Sequence, residues 1–481
     1  MSSSFASFAL PGASLLSYYF SYYFSRASKL DDDFLDRPLV DISRLSDFDM
    51  NISTGFMPLL SPLDRLPHHY DLWETALSLA NTQVSLGEDQ SPEAHSRRES
   101  SSLWRQRLQN APTLDVDPLL RDVRYLQRAH HVLAFLVHFY VHSIPPPPVP
   151  ERIVVPASLA VPLVAVSDAL GIAPILTFAD TVLWNWELKD PSQAISPENM
   201  RCKTMFSNTP DEENFYVCCA NIELRGVEAL GIIMDYTRSS LDDTESISHI
   251  NNGLDRLTGV VEELTTILQS VRSTCEPHVF YFQIRPWFRG SDAEGVDSPG
   301  WIYEGVDPNR HLELSGPSAG QSSIMHALDI FLDVDHNLTK PRVPAPSEQN
   351  RRADQSFMIR MRNYMPGKHQ DFLRCLSAQR PIRELAKRIP ELRESYDGAV
   401  LALKRFRDQH MRIACLYIVT MSRTAAARAA GCPMGAAMQK LQRENESVRQ
   451  PVRGTGGNEL SCLLKASRDA TKRTLIAGNI N

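Results

Sequence analysis

Residues 252–273 read NGLDRLTGVVEELTTILQSVRS, and their apolar side chains recur every three or four positions. Leu254, Leu257, Val261, Leu264, Leu268 and Val271 fall on one stripe, with acidic and polar residues opposite. A stripe of that length has to be buried against other helices, which commits much of the chain to helix-on-helix packing. The same period recurs elsewhere. RYLQRAHHVLAFLVHFYVHS (124–143) reads as an apolar helix buried on most sides. PASLAVPLVAVSDALGIAPILTFADTVLWNWEL (156–188) reads as helix, turn, helix, broken at GIAP. SSIMHALDIFLDV (322–334) and YDGAVLALKRFRDQHMRIACLYIVTM (396–421) add two more. Strand signals are few: VFYFQIRPWF (279–288) is the best, and Pro286 weakens it. The expected fold class is all-α.

With 481 residues, 43% of them hydrophobic, the chain can bury a large core and divide into more than one domain. Its net charge of -7 and mixed charge pattern offer no basic surface, so nucleic acid is a poor partner. The 8 cysteines include no C-x-x-C pair, a pattern that suits a reducing compartment better than a disulfide framework or a zinc ribbon. No apolar run reaches the length of about 20 residues that a membrane span needs. The Ser- and aromatic-rich start of the chain reads as an extension over residues 1–40. SIPPPPVPE (143–151) reads as a stiff connector, and LGEDQSPEAHSRRESSS (86–102) and KPRVPAPSEQNRRADQ (340–355) as polar loops, the first of them mobile. GTGG (454–457) lies between polar sequence and a last helix, ELSCLLKASRDATKRTL (459–475), as a lid or a plain linker.

Several stretches are candidates for chemistry. RFRDQHMRIACLY (405–417) puts His410 on a helical stripe with Phe406, Ile413 and Tyr417, and Arg407 one turn earlier on the same side. A neutral imidazole on a rigid element facing an apolar cavity is what a haem iron takes as axial ligand, and an arginine beside it suits a propionate. Taken alone, the stretch reads rather as the site of a core histidine held by a hydrogen bond. His138 and His142 stand four apart on one helix, a metal-compatible spacing. No acidic residue of that helix completes a site, and histidines on a partly exposed helix explain the pair as well. FQIRPWFRG (282–290) sets Arg285 among Phe280, Tyr281, Phe282, Trp287 and Phe288. That surrounding suits the carboxylate of an aromatic amino acid, or an arginine stem laid over aromatic surface. SGPSAGQSS (315–323) is a run of small residues before a helix that lets a flat ligand approach closely, and it lacks the lysine of a phosphate loop.

In order along the chain these stretches resemble the indoleamine 2,3-dioxygenases. The resemblance starts at GFMPLLSPLDRLPHHYDLWE (55–74) and runs through LAVPLVAVSDALGIAPILTFADTVLWNWEL, FQIRPWFRG with GWIYEGV, GPSAGQSS, RNYMPGKHQDFL and the His410 stretch to GTGGNELSCLLKASRDAT, covering roughly residues 50–475. It implies a two-part helical protein: residues 41–205 as a small domain roofing the distal side, and residues 206–481 as the larger haem-binding domain with a mobile glycine loop near 439–457. It implies haem b, with His410 as the proximal iron ligand, Arg407 and Asp329 as the pair beneath a propionate, and Gly320 beside the cofactor. Arg285 resembles the arginine that clamps the substrate carboxylate. Phe280, Tyr281, Phe215 and Phe178 match the aromatic lining, Ser318 and Ala319 the loop at the substrate amine, and Thr455 the closing glycine loop. The family's distal serine falls on Cys219. Phe178 stands where a tyrosine is frequent, Tyr216 where a phenylalanine is, and Pro317 where a glycine is. The implied reaction inserts both atoms of O2 across the indole C2–C3 bond of L-tryptophan to give N-formylkynurenine. The haem carries the hard step, and the protein supplies ligand, pocket and orientation. A cytoplasmic monomer acting on L-tryptophan and O2, away from membranes and nucleic acid, completes the expectation.

Overall fold

The computed structural model describes residues 42, 44–239, 244–295, 298–424 and 452–477; the 1–40 extension and the 439–451 part of the glycine loop fall outside them. The described chain is predominantly α-helical. Its longer helices are α1 Asp71–Gln83, α2 Arg98–Gln109, α3 Val123–His142, α4 Ala157–Leu170, α5 Pro210–Arg225, α6 Val227–Arg238, α7 Thr244–Thr274, α8 Ser323–Phe331, α9 Gly367–Ser377, α10 Arg393–Ala414 and α11 Leu460–Lys472. Extended structure is confined to three-residue strands. Ile153–Val155 (β1) pairs in parallel with Trp301–Tyr303 (β4), and Trp186–Leu188 (β2) pairs antiparallel with Met200–Cys202 (β3).

The long amphipathic stripe becomes α7. Leu254, Leu257, Val261, Leu264 and Val271 are buried, and α7 packs against both α10 and α5. Local chemistry fixes where α5 begins. The Thr209 hydroxyl accepts from the Glu212 amide at 3.2 Å, Pro210 opens the first turn, and Asp211, Glu212 and Glu213 complement its dipole. Two apolar clusters result. One gathers α3 and α4 with Phe280, Ile284, Trp287, Phe288 and Tyr417. The other gathers α6, α7, α8, α9 and α10. Among the described residues no helix is long and apolar enough to cross a membrane.

Three expectations need correction. The strand expected at 279–288 is helical: Phe280–Ile284 forms a wide turn and Arg285–Phe288 a tight one. Phe280, Ile284, Trp287 and Phe288 are buried at helical spacing, which in a short aromatic run passes for β character. The loop at 86–102 is ordered into Pro92–Ser96, capped by Ser91, and the start of α2. Likewise the 340–355 loop contains Glu348–Arg352, closed by a Ser347–Asn350 capping box. Third, the helix read at 124–143 is buried on most sides as expected, from Leu126 to Val141, so the partly exposed setting offered for its histidines does not hold: His130, His131 and His138 are buried.

Candidate active site

Helix α10 positions His410. Part of its ring surface is open, yet burial is the main influence on its titration and pushes it down to about 4, with Arg407 adding to the shift. The ring has no hydrogen-bond partner among the described residues, so a neutral imidazole presents an uncommitted lone pair. One turn earlier Arg407 is buried. Its Nη2 donates to Asp329 Oδ1 of α8 at 2.5 Å, and its Nη1 donates to Thr471 of α11. His336 Nε2 meets the other Asp329 oxygen at 2.8 Å. Burial alone would raise the Asp329 carboxyl, but Arg407 and His336 outweigh it and hold it far below the usual carboxylate range.

A second group of residues forms an aromatic wall. Phe215 and Cys219 stand one turn apart on α5. The Phe215 ring lies 5.0 Å from Phe280, and Phe280 meets Tyr417, two turns past His410, edge-on at 5.7 Å. Ile413 and Leu416 of the same chain segment pack on this cluster together with Phe215 and Cys219. Burial pushes the Cys219 thiol well up, so it stays protonated.

Arg285 sits over the Tyr281 ring at 5.5 Å. Its Nη2 donates to the Arg453 carbonyl at 2.7 Å, and its buried Nε has no partner. The glycine turn is therefore already seated on this arginine. Thr455 Oγ1 donates to the Pro317 carbonyl at 2.9 Å, and the Thr455 carbonyl accepts from the Gly290 amide at 3.2 Å. Gly457 has φ +73°, and a Cβ there would lie 2.2 Å from the Asp292 carbonyl oxygen. The described part of this loop, 452–457, is a packed strap.

The small-residue loop joins the two halves. Ser318 Oγ accepts from the Gly320 amide at 3.2 Å, and Ala319 is exposed. A Cβ on Gly320 would meet the Phe357 ring at 3.0 Å. Phe178 is buried, and its amide donates to Gln321 Oε1 at 2.9 Å while Gln321 Nε2 donates to the Gly316 carbonyl at 3.0 Å. Behind Phe178 the turn is pinned to α3: Asp180 accepts from Thr177 at 2.8 Å and meets His130 Nδ1 at 2.7 Å. The metal-spaced pair on α3 is used otherwise. His138 Nδ1 and His142 Nε2 meet the Trp287 and Arg289 carbonyls at 2.6 and 2.8 Å.

Sequence reasoning missed the supporting residues Gln321, Thr471, His336 and Asp180. Gln321, Thr471 and Asp180 fall inside stretches that carry the resemblance and His336 outside them, and none of the four announces its partner.

These residues can be tested against a haem. The group needs an unprotonated imidazole, apolar walls and cations for its two carboxylates. His410 meets the first need and the Phe215–Phe280–Tyr417 cluster the second. Arg407 meets the third in part, because Asp329 already balances its charge. The site therefore fits the cofactor, with one carboxylate still to be matched. The class defined here is a helical protein whose apolar, arginine-edged site suits a flat acidic cofactor held by an imidazole. The chain belongs to the indoleamine 2,3-dioxygenase family, whose sequence profile matches residues 44–474.

It is 30% identical to the 6-hydroxytryptophan 2,3-dioxygenase of Fusarium equiseti, over 91% of this chain and 99% of that one. It is 30% identical to the indoleamine 2,3-dioxygenase of Saccharomyces cerevisiae over 75% of this chain and 81% of that one. Against indoleamine 2,3-dioxygenase 1 of Rattus norvegicus the identity is 29% over 90% of this chain and 96% of that one. Membership makes the chain a dioxygenase, and it supports haem-dependent oxidative cleavage of tryptophan to N-formylkynurenine.

Proposed function

We propose that this dioxygenase acts on L-tryptophan with haem b held by His410. The observation that carries the assignment is the half-buried His410 ring, without a hydrogen-bond partner among the described residues, one turn from the Arg407–Asp329 pair. When bound, haem supplies the activation of O2 that no side chain of the pocket can supply. The protein's part is to bind and orient. The Asp329–Arg407–Thr471 network fixes the rotation of α10, and so the direction of the His410 lone pair. Arg285 receives the substrate carboxylate on its unpaired Nε edge, and the Tyr281 ring steadies the guanidinium from one face.

Phe215, Phe280 and Phe178 enclose the indole, with Cys219 one turn from Phe215. The thiol keeps its proton, so it fills space without serving as a base. Ser318, Ala319 and Gly320 lie at the amine and cofactor edge. The strap carrying Thr455 keeps water from the pocket while it rests on Pro317 and Gly290. An oxygen store needs neither an arginine among aromatics nor a strap, which favours the enzyme.

The proposal extends to residues 41–205 as roof and 206–481 as haem-binding part, to a monomer, and to the cytoplasm. The unpaired state of every described cysteine agrees with a reducing compartment. The test is the ferrous haem spectrum titrated with L-tryptophan, followed by product analysis. A spectral shift with growth of N-formylkynurenine is expected. A haem spectrum that ignores L-tryptophan, with no product formed, rules the reading out.

A further inference from the structure

Arg362 lies in the tight turn Met361–Tyr364 and is half-buried, with burial as the main influence on it. It forms no ion pair among the described residues. Its Nε donates to His326 Nδ1 at 3.3 Å, and His326 Nε2 in turn donates to the Gly320 carbonyl at 2.8 Å. An imidazole that accepts at one nitrogen and donates from the other carries no charge. His326 is buried, and burial, then Arg362, pushes it down to about 4. Arg362 therefore rests on a neutral partner, and its two Nη groups have none among the described residues.

Arg407 is the contrast, because Asp329 balances it at 2.5 Å. His326 and Asp329 are three residues apart on α8, one helical turn, so the two guanidiniums attach to the same face about 5 Å apart along the axis. Only the nearby Asp329 carboxylate, already engaged by Arg407, acts on Arg362 as a counter-charge, so its two Nη groups are open to an anion. Haem b carries two carboxylates on one edge. We propose that Arg362 is the second propionate anchor: the Arg407–Asp329 pair receives one carboxylate and Arg362, held by His326, receives the other. The inference rests on the haem reading given above. It also gives the Gly320 loop a part, since its carbonyl fixes the imidazole that aims the arginine.

Esterified haems test this. Wild type, Arg362→Gln and Arg362→Lys are each loaded with haem or with haem dimethyl ester. Transfer of each to excess apomyoglobin is then followed at the Soret band. The glutamine variant is expected to release haem about tenfold faster than wild type, with release of the diester unchanged within about twofold. The lysine variant keeps the charge and stays close to wild type. Equal acceleration of haem and diester overturns the assignment, as does no acceleration of either. The two half-esters give a second measurement on the wild-type protein alone. Both are expected to leave faster than haem. If one is retained as firmly as haem, that propionate has no anchor and the assignment fails while the haem reading stands. If wild type takes up no haem at all, both fail together.

Discussion

Helix α3 carries His130, His131, His138 and His142, and α10 carries His410. Burial dominates on both, pushing His131 and His142 well down and His138 and His410 to about 4. Their surroundings then diverge. His131 meets the Asp180 carbonyl and Thr204 Oγ1, each at 2.9 Å. His130 is held between Asp180 and the Ala173 carbonyl. His138 and His142 are tied to carbonyls of the 287–289 segment. Only His138 leaves a buried nitrogen unbonded, and its ring is walled edge-on by Trp301 at 5.5 Å. His410 has no tie among the described residues and is only half-buried. Depth alone thus says little about a ligand. Missing partners together with remaining access say more, because a structural imidazole is there for its hydrogen bonds.

Paired alanine substitutions would break the comparison if it is false. His410→Ala should abolish the Soret band and with it activity. The cofactor-free protein should keep its stability within about 1 kcal/mol, since no hydrogen bond is lost. His131→Ala should do the opposite. It strands a buried hydroxyl and a carbonyl and opens a cavity, at about 2 to 4 kcal/mol, while folded protein still takes up haem. Denaturant melts and haem titrations of both variants decide it.

On stability, Asp329→Ala weighs at least as much: it leaves Arg407 buried without its anion and should cost about 3 to 5 kcal/mol. The pH dependence has a definite sign. The folded pKa of Asp329 lies below the ordinary aspartate value of 3.8, so its contribution is fully present above about pH 4 and is lost as acid protonates the folded carboxylate. Asp329→Asn should therefore flatten the acid limb of the stability profile below pH 4. An unchanged limb would mean that the pair does not hold the site.

Most of this frame is legible in the chain itself. The 252–273 stripe, the helix through His410 and the glycine turn before α11 all carry their periodicity or turn residues openly. What stayed hidden is what short-range pattern cannot encode. In VFYFQIRPWF the aromatic and β-branched composition mimics a strand, although the buried residues fall at the helical spacings of 4, 3 and 1. The partners of Arg407 come from 78 residues before it and 64 after it, and no local signal links them. The pinning of Phe178 through Gln321 spans 143 residues for the same reason. The burial of α3 is legible in its apolar run, but the partners of its four histidine rings are not, since each comes from a distant segment.

Smaller effects separate the pocket's arginine from its strap. Arg285→Ala removes the expected carboxylate clamp, and KM for L-tryptophan should rise about 30- to 100-fold with haem retention unchanged. Gly457→Ala acts on the strap alone. At φ +73° an alanine costs roughly 1 kcal/mol, and its Cβ would collide with the Asp292 carbonyl, which is backbone and cannot swing away. The strap has to lift there, and lifting it withdraws the Arg453 carbonyl from Arg285. KM should then rise about three- to tenfold, well short of the Arg285 effect, because the guanidinium itself remains. The melting temperature should hardly move, since the strap buries little apolar surface. Steady-state kinetics beside a thermal melt distinguishes the cases. A KM equal to wild type would show that Arg285 binds substrate without help from the strap, and a KM as high as that of Arg285→Ala would show that the two act as one unit.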